Sequence, residues 1–146
     1  MYQGILHAHS GLRWIVLILL IAAPLMAFLR LQRGEGFSES VRKLSLFGLI
    51  ACHTQLLLGL ILYFLSPKVS FQTGFMADKV LRFFTVEHLF LMIIAIVLVT
   101  MGYSRAKKRP ADAGKLKAVA VYYGFALLLI LLSIPWPFRA LGAAWF

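Results

Sequence analysis

Four long apolar segments constrain the fold of this chain more than any other feature of its sequence. They cover approximately residues 11–29, 44–65, 83–102 and 118–134, and short polar connections separate them. An α-helix needs ~20 such residues to cross ~30 Å of hydrocarbon, where the backbone must satisfy its own hydrogen bonds. We therefore expect residues 1–146 to form one all-α integral membrane domain, folded as an up-and-down four-helix transmembrane bundle.

The composition agrees with this class of protein. Apolar residues make up 62% of the chain, well above the ~45–50% of soluble proteins. Because the N-terminus lacks a basic region and a small-residue cleavage site, we expect the first apolar segment to be retained as a span. Cys52 is the only cysteine, which rules out an intrachain disulfide and a covalent CxxCH haem attachment.

Basic residues concentrate in two of the three connections. The chain carries a net charge of +10, and ten of its fifteen Lys and Arg residues lie in the first and third connections. By the positive-inside rule, these two connections face the cytoplasm and both termini face outside. We expect the positive charge to meet anionic lipid head groups rather than nucleic acid. The ten residues are Arg30, Arg33, Arg42, Lys43, Arg105, Lys107, Lys108, Arg109, Lys115 and Lys117.

Ionisable residues inside or beside the spans are the candidates for function, because burying them in hydrocarbon is costly. On this topology, all four histidines lie between mid-membrane and the outer surface. The candidates are His7, His9, Arg13, His53, Arg82, Glu87 and His88.

Helical spacing predicts which of these candidates face the bundle. His9 and Arg13 share one stripe of the first helix, whereas His7 points away from it. On the third helix, His88 shares a face with Phe84, an aromatic lining that suits a porphyrin. His53 lies beside a stripe of small and polar residues on the second helix, and either rotates into the bundle or meets another subunit. That stripe contains Ser45, Gly48, Cys52, Gln55 and Gly59.

Paired imidazoles on facing helices favour a b-type haem, since neutral imidazole is the commonest metal-binding side chain. Zinc or copper usually takes three or four ligands, and the sequence shows no closely spaced HxxxH pattern. The sequence leaves open which histidine would be the second haem ligand beside His88. His88 lies roughly 7 Å outward of its helix midpoint, His9 lies further out and His53 lies near the centre of its helix.

Three stretches of the chain resemble a known group of proteins. They read HSGLRWIVLILL, CHTQLLLGLILYF and RFFTVEHLFLMIIAIVL. They are similar to small bacterial membrane proteins labelled cytochrome b and, more distantly, to one four-helix half of haem A synthase. In the half-bundles of that synthase, histidines of the first and third helices provide the axial positions for haem, and the second helix carries a Gln followed by a Gly.

The resemblance implies a set of haem-binding residues in this chain. His9, or His7 in its place, and His88 would be the axial ligands, while Gln55 and Gly59 match the Gln and Gly of the second helix. His53 has no counterpart in that pattern and remains the alternative ligand. We also expect two arginines at the outer border, Arg13 and Arg82, to bind the haem propionates through paired hydrogen bonds.

The synthase reaction itself is not expected of this chain. The catalytic motif of the synthase has a Glu four residues before a His-Arg pair, but here Ile5 precedes His9 and Gln3 precedes His7 at that spacing. The resemblance therefore implies an electron carrier rather than an enzyme, with haem b as cofactor, in the bacterial inner membrane. Its partners would be quinol or the subunits of a larger membrane complex.

Two other functions fit the same residues. One is a structural accessory subunit of a membrane complex, in which the histidines bind nothing. The other is a copper-handling membrane protein, with Cys52, Met76, Met92 and the histidines as ligands.

Labelling of engineered cysteines tests the predicted orientation. In a Cys52→Ala background, a cysteine at Ala113 should resist an impermeant maleimide added outside the membrane, because the third connection is expected in the cytoplasm. A cysteine at Gln72, in the second connection, is the matched control and should react. The opposite pattern would reverse the topology and move His9 and His88 to the cytoplasmic half.

Overall fold

The computed structural model describes residues 1–141 and Trp145, and four long helices dominate this part of the chain. All four are long and apolar enough to cross a membrane, and the described residues form no β-strand. The predicted all-α class and the number of long helices are thereby confirmed. The helices are α1 (Tyr2–Gln32), α2 (Glu39–Leu65), α3 (Lys79–Lys108) and α4 (Asp112–Ser133).

All four helices begin before the apolar segments that predicted them. Helix α1 begins at Tyr2 rather than near residue 11, so the polar stretch with His7 and His9 is helical. Hydropathy marks the part of a helix that suits hydrocarbon, whereas backbone hydrogen bonding continues into the polar flanks. Side chains cap the N-termini of two helices. Ser38 Oγ accepts from Val41 N at the start of α2, and Asp78 Oδ1 accepts two backbone N–H groups at the start of α3.

The helices form a ring in which α1 and α3 lie on a diagonal. Helix α1 packs against α2 and α4, and α3 packs most extensively against α4. The contact between α2 and α3 is the sparsest of the four neighbouring pairs. We call the end that carries Tyr2 and connection 66–78 the terminal end, and the opposite end, with the two strongly basic connections, the basic end.

Tyr123 of α4 ties the middle of the bundle together. Its side chain is fully buried, and its hydroxyl donates to Ser45 O of α2 over 2.7 Å. Gly48 leaves room for this ring, since a Cβ there would lie 3.4 Å from Tyr123 Cε1. Gly102 of α3 also leaves room for α4, since a Cβ there would lie 2.6 Å from Tyr122 Cβ and 3.1 Å from Tyr123 Cδ2. The basic-end half of the bundle is therefore closely packed.

The outside of the bundle is apolar. Large side chains such as Ile18, Phe64 and Leu132 are 65%, 83% and 69% exposed. Soluble monomers rarely expose contiguous apolar surface of this extent. This surface suits lipid. The stripe predicted from His9 and Arg13 continues along α1 through Leu20 and Ala23, and both of these side chains are buried.

A pair of glycine substitutions tests the close packing of α3 on α4. Gly102→Ala should lower the thermal stability of the protein in detergent, because overpacking a filled interface costs ~1–3 kcal/mol. Gly124→Ala is the matched control, since a Cβ there meets no atom within 4 Å, and the better helix propensity of Ala should leave stability unchanged or raised. Equal melting temperatures for both variants would contradict the close contact at Gly102.

Candidate functional site

A cavity of about 370 Å³ lies at the terminal end of the bundle, on the loosely packed side between α2 and α3. Its volume falls within the ~300–1,000 Å³ range of small-molecule sites. The walls are largely apolar and include Leu56, Met92, Ile96 and Ile130. The polar and charged side chains that line it include His7, His9, Arg13, Gln55, Lys68 and His88.

His88 enters the cavity from α3 with one ring nitrogen already engaged. Its Nδ1 lies 2.7 Å from Ser133 O, in the last turn of α4. A carbonyl oxygen only accepts, so Nδ1 carries the proton, and Nε2 of the neutral ring keeps its lone pair. Histidines that bind metals commonly donate their other N–H to a carbonyl in this way, which fixes the tautomer and the ring orientation.

His9 enters from α1 and packs against α2. A Cβ at Gly59 would lie 3.1 Å from His9 Cε1, so the absence of a side chain at Gly59 makes room for the imidazole. Gln55 Nε2 donates to His9 O over 2.8 Å and joins the two helices at this level. His9 Nδ1 and Gln55 Oε1 are buried without a hydrogen-bond partner in the described part of the chain.

The two imidazoles approach the same space from diagonal helices. His9, Arg13 and His88 all line this cavity. Two imidazoles that line one largely apolar cavity are an arrangement that can hold a single metal centre. Gln55 and Gly59, which the resemblance associated with this site, line the cavity and contact His9.

Two cationic side chains line the same cavity. Arg13 follows His9 by one helical turn, stacks on Trp14 with 5.4 Å to the ring centroid, and donates to Trp145 O over 2.6 Å. Its Nε is buried without a partner among residues 1–141 and Trp145. Lys68 comes from the connection after α2 and stands 5.1 Å over the Phe84 ring. This pair of cations suits a ligand that carries carboxylates.

Two of the residues singled out in the sequence lie outside the cavity, and a third lies at its mouth. His53 is on the outer surface of α2, where its Nδ1 donates to Leu49 O over 2.9 Å, so it rotates away from the bundle. Arg82 pairs with Glu87 over 2.7 Å and is outside the cavity lining. His7 is exposed at the mouth of the cavity.

Lys68 was not foreseen as a site residue. Its position depends on how connection 66–78 folds back over the end of α2, which hydropathy does not reveal. A signal was present in the sequence, because Lys68 directly follows Pro67 at the end of the second span.

Whether the described side chains could hold a metal ion without a cofactor depends on which ligands lie close together. Within residues 1–141 and Trp145, no three His, Cys, Asp or Glu side chains come together as a metal-ion site. Cys52 is buried and lines the cavity without such a group around it. Comparison of the chain with protein families, with curated proteins and with solved structures finds no match.

Proposed function

We propose that this chain is a b-type haem protein that transfers electrons in the bacterial inner membrane. The observation that carries the proposal is the pair of imidazoles, His9 and His88, that enter one apolar cavity from diagonal helices. The donor set fits haem b, because that cofactor needs two axial ligands and an apolar enclosure rather than three or four protein ligands.

The roles of the residues follow from their positions. His9 and His88 would bind the iron, with Ser133 O holding the His88 ring and Gly59 making room for the His9 ring. The apolar walls would exclude water, and Arg13 and Lys68 would hold the two propionates. When bound, haem supplies one-electron oxidation and reduction.

The proposed setting is a multi-pass protein with both termini outside. The ten basic residues of the first and third connections support this orientation, which puts the cavity in the outer half of the membrane. Electrons would pass between this cavity and quinol or a haem-containing subunit of a larger membrane complex.

A structural accessory subunit is the second candidate. The hydrogen bond from His88 to Ser133 O caps the last turn of α4. A histidine that binds no cofactor would make the same bond. The two candidates differ in one respect, because a purely structural histidine requires no cofactor.

Histidine variants test the ligand assignment. Protein purified from haem-replete cells should show a low-spin Soret spectrum, and His9→Ala should lose it or become high-spin, because one axial ligand is gone. His88→Asn should give the same result. The Asn amide keeps a hydrogen-bond donor near Ser133 O, so this variant separates loss of the iron ligand from loss of the helix cap. His53→Ala should retain the low-spin spectrum, since His53 faces outward.

Two outcomes would contradict this assignment. If His53→Ala alone lost the low-spin haem, the ligand pair would be wrong. If no variant changed the spectrum of a folded protein, the imidazoles would have no ligand role. Far-ultraviolet circular dichroism of each variant serves as the control for folding.

Charge variants test the propionate contacts. Arg13→Gln and Lys68→Gln should each weaken haem binding roughly 10- to 150-fold in a titration of haem-free protein, because one charge-assisted hydrogen bond contributes ~1.5–3 kcal/mol. The low-spin spectrum should persist, since the ligands are unchanged. Lys79→Gln is the matched control at the start of α3. Weaker binding in Arg82→Gln but not in Lys68→Gln would favour the assignment made from the sequence.

A further inference from the structure

Helix α3 contains a π-helical turn at Phe83–Glu87, directly before His88. In this turn the backbone N–H of His88 bonds to Phe83 O, five residues back. A regular α-helix would use Phe84 O, four residues back. Such turns are rare and occur frequently at functional sites.

The wider turn brings two phenylalanines against one imidazole. In an α-helix, side chains three and four residues apart are neighbours, so Phe84 would meet His88 and Phe83 would not. Here the Phe83 ring lies 5.7 Å from the His88 ring and the Phe84 ring lies 6.4 Å from it, centroid to centroid. The π-turn therefore adds Phe83 to the surroundings of His88.

Phe83 is itself fixed by the end of α4. Its side chain is only 2% exposed, and the Arg139 guanidinium stands 4.9 Å over its ring. Arg139 Nη1 donates to Leu132 O and Ile134 O, which flank the carbonyl that accepts from His88. Phe83 thus lies between the His88 ring and a cation that is held by the same helix end.

A second set of hydrogen bonds holds the other side of the turn. Thr85 is buried, and its Oγ1 accepts from Ser70 N over 3.0 Å and donates to Ser70 O over 3.3 Å. Tyr63 of α2 donates its hydroxyl to Thr85 O over 2.8 Å. The turn is therefore anchored to α2 and to connection 66–78 as well as to α4.

We propose that this π-turn positions His88, and that Phe83 is the positioning residue. Phe83 and Phe84 confine the imidazole so that Nδ1 stays on Ser133 O and Nε2 stays directed into the cavity. The consequence for haem ligation rests on the proposed function, whereas the confinement of the ring does not.

The test compares Phe83→Leu with Phe90→Leu and uses two measurements. Phe90 lies on the same helix and is 62% exposed, so its replacement is the matched control. In haem-free protein labelled with ¹⁵N-histidine, wild type and Phe90→Leu should show His88 in the Nδ1-protonated form alone. Phe83→Leu should add a second signal from the Nε2-protonated form. In haem-loaded protein, Phe83→Leu should add a high-spin fraction that Phe90→Leu lacks.

Thr85→Val provides a second variant that acts on the turn itself. Thr85 Oγ1 accepts from Ser70 N and donates to Ser70 O, and losing both bonds loosens the turn that brings Phe83 to His88. The replacement should give the same two changes as Phe83→Leu. A wild-type tautomer in both folded variants would overturn the proposal, whether or not haem binds. A colourless wild-type protein with the expected tautomer changes would instead overturn the proposed function and leave the positioning role intact.

Discussion

The candidate site depends on how the last turn of α4 satisfies its carbonyl groups. The final carbonyls of a helix have no partner within the helix, and apolar surroundings offer them no water. Side chains supply the missing donors here: Trp136 Nε1 donates to Leu131 O, Arg139 to Leu132 O and His88 to Ser133 O. Because the cap of Ser133 uses Nδ1 of His88, the other nitrogen of that ring is left for the cavity. One structural requirement thereby produces a histidine of defined tautomer and direction.

The packing of the ring of helices explains where the cavity lies. At the basic end, Gly48 and Gly102 let the backbones approach around Tyr123, and little space remains. The cavity lies at the terminal end, and the imidazoles of His9 and His88 line it. The close packing is thus confined to one half of the bundle, and the space is in the other.

Much of this architecture could be predicted from the sequence, because it follows from hydropathy and helical periodicity. The four helices, the buried stripe of α1 and the inward direction of His9 and His88 belong to this part. The direction of His53 did not follow, since it lies at the margin of a stripe and neighbouring helices decide which way it turns. Contacts between residues that are far apart in the sequence also determine the π-turn and the position of Lys68. The periodicity of apolar residues along the chain does not reveal such contacts.

The most direct test of the account is the electron paramagnetic resonance spectrum of the wild-type protein, purified in detergent from haem-replete cells, with its haem content measured on the same sample. The account predicts one haem per chain and a low-spin ferric signal typical of two imidazole ligands. A folded protein that contains no haem, or whose haem is wholly high-spin, would contradict it.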